Sequence, residues 1–589
     1  MKDFLKYTLA TIVGIILCSI IMTVIAIISI AGMTASESMT APIKKNSVLR
    51  IKLEGVINER TEETPMAMFM GDESQQIGLE DALIALKKAS KNDKVKGIYL
   101  EGGSLSADPG SLTELHKALV DFKESGKFVI AYGDSYSRAA YYLSSVADKV
   151  YMNPGGMLDW SGMASNPIFY KDLLDKVGVK MQVFKVGTYK SAVEPYINTE
   201  MSEANREQVT SFLTNIWKHL QKDVAQSRNK PVDALNALAD SMIIVADPET
   251  SVKGGLVDKL VYLSEVKQEL RTLAGLDEGD DLNFVSLSDV ASSETLKDKV
   301  KDEIAVYYAY GEIVDKAPSY GFSQEHMIIG EEMMKDIQKL RNDKDIKAVV
   351  IRVNSPGGSA YASEQIWHEI ELLKAEKPVV ISMGGLAASG GYYISCGANK
   401  IFAEPTTLTG SIGIFGMIPD ASELLTKKIG VKFDVVKTNA LSDFGAMGRP
   451  FNETESKMMQ AYVNKGYELF TGRVAQGRGM KQDDVKKIAE GRVWTGEQGL
   501  ELGLVDQLGT LDDAIEEAAK EAKIEKYGIG RYPEPEPWFS AVLNKTKTGY
   551  LDGQMRQMLG EYYSAFSLLR NISQRNPIQA RMPYDPNIK

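Results

Sequence analysis

The sequence predicts a tandem α/β protein: two copies of one mostly parallel-sheet fold, preceded by a single transmembrane helix. Three observations carry this. Residues 96–162 lie on residues 347–413 at a constant offset of 251 without a gap, so that Lys96-Gly97-Ile98-Tyr99-Leu100 falls on Lys347-Ala348-Val349-Val350-Ile351. Inside each copy, strand-like runs alternate with helical patterns, which implies parallel pairing. An uncharged stretch of membrane-spanning length opens the chain.

From Tyr7 to Ser36 no residue is charged, and Leu9 to Ile30 is almost wholly apolar, with no polar face. That run is too long for a signal-peptide core and long enough to cross a bilayer once. Residues 1–36 are therefore expected to form a short tail and an anchor. Lys2 and Lys6 favour a cytoplasmic tail, yet Lys44, Lys45, Arg50 and Lys52 lie just beyond the span, so the positive-inside rule is divided. Acting as an uncleaved signal anchor, the segment would keep the tail inside. Residues 37–46 read as a polar linker.

The first copy, 47–295, opens on the period-two strand Ser47–Leu53; the second, 303–525, opens similarly at Glu303–Tyr308. In each a helix comes next, then a strand (Gly97–Glu101, Ala348–Val353), a helix, a second strand (Phe128–Ala131, Val379–Met383) and another helix. Each then has a long helical segment, Ser202–Arg228 or Glu453–Arg478, and closes on Gly255-Leu256-Val257-Asp258 or Gly503-Leu504-Val505-Asp506. The join from Asp277 to Asp302 is polar and reads as a surface connection. In the tail, 526–589, Pro533-Glu534-Pro535-Glu536-Pro537 is a stiff spacer. The last fifty residues read either as a segment packing on another domain or subunit, or as a frayed end.

Composition narrows the chemistry. With 589 residues there is room for two sizeable cores. A net charge of -11 and the lack of a basic cluster argue against a nucleic-acid partner. Cys18 and Cys396 suggest neither a disulfide framework nor a zinc site. His116, His219, His326 and His368 are scattered, with no metal-ligand spacing, so neither a metal nor a Ser-His-Asp triad is expected, and no cofactor is predicted.

A duplicated fold can lose one copy of its chemistry, so the positions where the copies differ are informative. The second copy has Ser355-Pro356-Gly357-Gly358 where the first has Ser104-Leu105-Ser106-Ala107, and Ala388-Ser389-Gly390-Gly391 where the first has Ser137-Arg138-Ala139-Ala140. It has Thr409-Gly410-Ser411-Ile412-Gly413 where the first has Leu158-Asp159-Trp160-Ser161-Gly162. The asymmetry then reverses: Lys190, in Gly187-Thr188-Tyr189-Lys190-Ser191-Ala192, stands against Ser442 at an offset of 252.

Ser389 comes after an apolar strand and Gly384-Gly385, which would permit a sharp turn into a helix starting near Ala387 or Ala388. A serine there is a candidate nucleophile, with Gly390 and Gly391 leaving room for a substrate backbone; the plainer view is a close-packed helix start. Gly357-Gly358 lies just past a strand end, where ligands bind in open α/β sheets. Its backbone N–H groups could face a carbonyl oxygen, each worth on the order of 3 kcal/mol in a transition state; an ordinary turn is the alternative. Lys190 is the candidate base, provided its largely apolar neighbours lower its pKa towards ~7–8; most lone lysines are simply solvated. Ser411 could orient the amine, or close a simple Thr-Gly-Ser turn.

These residues carry a resemblance to signal peptide peptidase A of the long, tandem-domain bacterial type. The matching motifs are Val353-Asn354-Ser355-Pro356-Gly357-Gly358-Ser359, Met383-Gly384-Gly385-Leu386-Ala387-Ala388-Ser389-Gly390-Gly391-Tyr392-Tyr393, Thr409-Gly410-Ser411-Ile412-Gly413 and Tyr189-Lys190-Ser191-Ala192-Val193-Glu194-Pro195-Tyr196. The resemblance extends from the anchor to about residue 525. It implies a crotonase-like, Clp-protease-like fold in each half and a Ser-Lys dyad, with Ser389 as nucleophile, Lys190 as base and Ser411 orienting it. Backbone N–H groups of Gly357 or Gly358 and of Gly390 would hold the oxyanion. It further implies a homo-oligomer, a tetramer, in the bacterial cytoplasmic (inner) membrane. Its catalytic domains would lie on the extracytoplasmic side and cleave hydrophobic peptides, remnant signal peptides among them. Two other classes compete: a crotonase-type acyl-CoA enzyme, and an inactive or regulatory membrane scaffold.

Overall fold

The computed structural model describes residues 43–61, 76–277, 279–293, 300–317, 326–534 and 577–582, together with a few isolated positions before residue 22. The apolar run Leu9–Ile30 thus falls almost entirely outside the described residues. Among the described residues no helix is long and apolar enough to cross a membrane.

The first half is built on a seven-stranded sheet in the order Gln76–Gly78, Ser47–Asn58, Val95–Ser106, Phe128–Tyr136, Lys149–Leu158, Lys259–Leu260, with Asn283–Val285 also on Ser47–Asn58. All its pairings are parallel. The second half repeats the plan in eight strands, with Val379–Ala388 and Ile346–Ser355 at its centre, between Leu408–Gly410 and Glu303–Tyr310. Every residue of Val379–Ala388 is buried, as expected of a parallel strand covered on both faces. The long helices Glu203–Arg228 and Glu453–Arg478 are capped by Ser202 and Asn452, whose side chains accept from Asn205 N and Glu455 N.

Among the contacts that join the halves, two stand out. Lys180–Lys185, from the first half, pairs antiparallel with Phe415–Asp420 of the second. This contact belongs to a third sheet of six strands, ordered Met327–Ile329, Glu312–Val314, Gly357–Ser359, Ile578–Arg581, Phe415–Asp420, Lys180–Lys185. The other join is a buried charge cluster. Arg352 donates to Glu59 at 3.0 Å, Glu114 at 2.6 Å and Ser382 Oγ at 3.1 Å, and Asn354 Nδ2 donates to Glu59 at 2.9 Å. Burial pushes the Glu59 carboxyl up despite the guanidinium beside it.

Gly384-Gly385 does not make the expected turn. Neither residue has a positive φ, and both lie inside the strand Val379–Ala388. A Cβ on either would overlap the Glu59 carboxylate or the Asp108 side chain of the first half. The pair is thin so that the halves can close on each other. The strand continues through Ala388, and the helix begins only at Gly390.

Candidate active site

Ser389 is the hinge between the strand Val379–Ala388 and the helix Gly390–Ser395, and it carries the sharp turn itself, at φ 56° and ψ −111°. Positive φ in a non-glycine residue costs about 1–3 kcal/mol and persists only where the surroundings enforce it. Here Ser389 N donates to the Gly410 carbonyl at 2.8 Å, and its carbonyl accepts from Tyr393 N at 2.8 Å. Ser411, with φ 49°, is held likewise: its N–H donates to the Arg492 carbonyl at 2.7 Å.

Lys190 comes from the other half of the chain. Five residues after Lys185 ends its strand against Phe415, the lysine enters the second half, where it is 1 % exposed. Its Nζ lies in hydrogen-bonding contact with Ser389 Oγ at 2.7 Å, Ser411 Oγ at 3.0 Å and the Ser411 carbonyl at 3.0 Å; as an uncharged amine it accepts from Ser389 Oγ and donates to the two Ser411 oxygens. No carboxylate is among these partners. Burial alone holds the amine well below its ordinary 10.5, because a buried ammonium loses its hydration without gaining a counter-charge. Once the amine is uncharged, a hydroxyl this close can pass its proton to it. All three side chains belong to one chain.

The channel for the lysine stem is made of glycine. Gly491, at φ 79°, lies so close that a Cβ there would stand 2.6 Å from Lys190 Cβ, and one on Gly413 would stand 3.3 Å from its Cδ. Gln208 clamps the loop: its Nε2 donates to the Tyr189 carbonyl and Ser191 Oγ, both at 3.0 Å, and its Oε1 accepts from Val493 N at 3.2 Å. Just beyond, Glu194 accepts from Ser202 Oγ at 2.6 Å and from Asn205 Nδ2 at 2.8 Å.

Gly357 and Gly390 meet at the far side, where a Cβ on Gly390 would stand 3.0 Å from Gly357 Cα. The N–H of Gly357 donates to Ser355 Oγ at 3.1 Å and is already committed. Gly358 and Gly390 carry the neighbouring backbone N–H groups on this side. Gly357 itself needs glycine, since φ is 91° and a Cβ would overlap the Ala580 carbonyl.

The corresponding place in the first half is filled. Arg138 stands at the serine's position and pairs with Asp159 at 3.1 Å. Trp160 stands at that of Ser411, fully buried, its Nε1 donating to the Leu235 carbonyl at 3.0 Å. Gly491, Gln208 and Glu194 were not singled out from sequence; only Glu194 lay inside a motif. Gln208 reads there as one polar position on a long helix, and Gly491 as one glycine among 50.

Known proteins agree with this architecture. Residues 121–277 and 371–525 both match peptidase family S49, and residues 320–408 match the Clp protease family. Protease 4 of Salmonella typhi is 38% identical over 520 residues, 86% of this chain and 82% of that protein. The chloroplastic serine protease SPPA of Arabidopsis thaliana is 30% identical over 486 residues, 82% of this chain and 70% of its own. A putative signal peptide peptidase SppA of Enterococcus faecium is 38% identical over 239 residues, 40% of this chain and 69% of its own. With the family matched twice along one chain, and tandem-length relatives aligned over most of it, this chain belongs to peptidase family S49, as a serine protease of the tandem Protease 4 (SppA) type.

Proposed function

We propose that the chain is a membrane-anchored endopeptidase that hydrolyses hydrophobic peptides, remnant signal peptides among them, with Ser389 and Lys190 as a catalytic dyad. The observation that carries this reading is a fully buried lysine 2.7 Å from a serine held at positive φ, with no carboxylate partner.

Ser389 Oγ attacks the scissile carbonyl carbon while Lys190 Nζ takes its proton. The oxyanion accepts from the N–H groups of Gly358 and Gly390, with Gly357 setting the turn between them. As the C–N bond breaks, the ammonium of Lys190 returns the proton to the leaving amine, and Ser389 is left as an acyl ester. Water then attacks the ester carbon, Lys190 takes the water's proton, and the restored hydroxyl releases a carboxylic acid. Ser411, through its hydroxyl and its carbonyl, holds the amine towards Ser389 in both half-reactions.

The apolar run Leu9–Ile30 supports the anchor, with the two halves outside the bacterial cytoplasmic membrane. The name of the Enterococcus faecium relative supports signal peptides as substrates, and the Clp protease match supports assembly into a homo-oligomer, a tetramer in this reading. Full-length protein in detergent micelles, given a synthetic signal peptide and followed by mass spectrometry, tests the proposal. Internal cleavage in the apolar segment by the wild type, absent in Ser389→Ala, is expected. An intact peptide after incubation with folded wild type contradicts it.

A further inference from the structure

Lys190 and Ser411 both hang from one short segment of the second half, residues 490–495. The Glu490 carbonyl accepts from Tyr189 N at 3.0 Å, and Gly491 N donates to the Ile412 carbonyl at 2.8 Å. The Arg492 carbonyl accepts from Ser411 N at 2.7 Å. Val493–Thr495 then pairs antiparallel with Leu408–Gly410, and the Gly410 carbonyl is the one that Ser389 N meets. Ser411 and Ser389 belong to the same half as this segment, and backbone bonds register them on it. Lys190 arrives from the other half, and its loop is held by side chains as well.

Arg492 supplies much of that hold. Its guanidinium lies between two rings, 4.7 Å from the Tyr189 centroid and 4.4 Å from that of Trp494. One nitrogen donates to Tyr189 Oη at 3.1 Å, and another pairs with Glu207 at 2.9 Å. Tyr189 Oη in turn donates to Glu207 at 3.1 Å, which closes a ring of three side chains. Tyr189 directly precedes Lys190. Glu207 directly precedes Gln208, whose amide also grips this loop. Stacking on two rings while bonding two partners needs a planar fork, which lysine lacks.

The duplication points the same way. Laying Gly255-Leu256-Val257-Asp258 on Gly503-Leu504-Val505-Asp506, at an offset of 248, sets Ile243 and Ile244 against Gly491 and Arg492. The first copy, where Arg138 and Trp160 fill the corresponding place, has neither the glycine nor the arginine.

We propose that Arg492 is a positioning residue: its side chain clamps Tyr189 and Glu207 and so fixes the loop that carries Lys190, while its carbonyl fixes Ser411. This rests on the reading of Ser389 and Lys190 as the dyad. Arg492 acts through its neighbours, so its loss should appear in the protonation of the amine. Lys190 Nζ is buried against Ser389 and Ser411, and burial holds it below 10.5. Charged groups on the elements around it are Lys185, Glu194, Glu207, Glu490 and Arg492; Glu194 is tied to Ser202 and Asn205, and Glu490 to Thr188 N. A loosened loop lets water reach Nζ and rehydrate the ammonium, which raises the midpoint of activity. Less free amine is then present at neutral pH, and the deficit shrinks as pH rises.

The test is kcat and KM against pH, on a fluorogenic apolar peptide, for full-length wild type, Arg492→Met, Arg492→Lys, Arg473→Met and Lys190→Ala. Arg473 is the matched control: its guanidinium lies 3.9 Å from the Trp367 centroid and pairs with Glu364. Its partners are on the helix Ala360–Lys374 and not on the lysine loop. Arg492→Met should lose about 10-fold in kcat at pH 7 with KM little changed. Its midpoint should rise by about one pH unit, since each unit is tenfold in free amine. Arg492→Lys keeps the charge without the fork and should shift alike, which reads the clamp if Arg492→Met does not fold. Arg473→Met should keep the wild-type midpoint. A folded Arg492 variant with the wild-type midpoint overturns the proposal, as does an equal shift in Arg473→Met. If Lys190→Ala is inert while Arg492→Met matches wild type, the dyad stands and the clamp is wrong. If Lys190→Ala keeps the wild-type rate, the dyad reading fails and the clamp falls with it.

Discussion

Gly491→Ala attacks the lysine without changing any group that reacts. A Cβ at Gly491 would stand 2.6 Å from Lys190 Cβ, 2.7 Å from its Cα and 2.8 Å from its Cδ. Carbon atoms in contact rest at about 3.5–4.0 Å, so the lysine must retreat by about 1 Å. One of the atoms struck is backbone, so a rotamer change alone cannot relieve the clash. A misplacement of about 1 Å can cost on the order of 10²-fold in rate, and the positive φ adds about 1–2 kcal/mol of strain for alanine. Gly479→Ala is the control: φ is 62°, with nothing within 4 Å of an added Cβ. Gly491→Ala should lose more stability in thermal melts than Gly479→Ala, which carries the φ strain without the clash. Only Gly491→Ala should lose kcat/KM, about 10²-fold on a fluorogenic apolar peptide. Equal kcat/KM in the two variants would refute the claim that the Gly491 channel positions Lys190.

Activity should rise with pH to a plateau as the Lys190 ammonium loses its proton, with the midpoint below 10.5, because burial holds the amine down. Between that midpoint and 10.5 the unfolded chain binds more protons at this residue than the folded one, so its contribution to stability also rises with pH there; Lys190→Met should remove that slope in pH-dependent melts. Gln208→Leu cuts the tie between the lysine loop and Val493; kcat should fall with KM little changed and the pH midpoint should move, which a purely structural loss would not produce. Arg352→Met leaves Glu59 and Glu114 buried without their cation, an expected loss of about 3–5 kcal/mol in denaturant titrations. That loss should shrink at low pH: a carboxyl whose folded pKa is raised binds more protons folded than unfolded, so its stability deficit grows as pH rises.

Much of this molecule is legible in the sequence because duplication supplies an internal comparison. The parallel sheets arise from apolar runs of strand length alternating with helical patterns, and the two long helices begin within a residue of the expected Ser202 and at Glu453. Ser389, Lys190 and Ser411 stand out because each is missing from the other copy. Their meeting is another matter. Lys190 and Ser389 are 199 residues apart, joined by an antiparallel contact of Lys180–Lys185 that no local pattern announces. Gly384-Gly385 shows how residue type can be read correctly for the wrong cause: the pair yields to neighbours from the first half, and a positive φ is not involved. Gly491 and Gln208 act through single close approaches, which leave no periodicity to detect. The strand Ile578–Arg581 has four residues, too few for alternation to separate it from loop, and only its place between two edges explains it.

Intact-mass analysis of full-length protein treated with a serine-directed acylating probe tests the dyad most directly. One adduct is predicted, mapping to Ser389, with none on Ser389→Ala and formation slowed by about 10²–10⁴-fold in Lys190→Ala, the range of general-base assistance. Labelling of folded Lys190→Ala at the wild-type rate would contradict the dyad, for Ser389 would then be activated by another group.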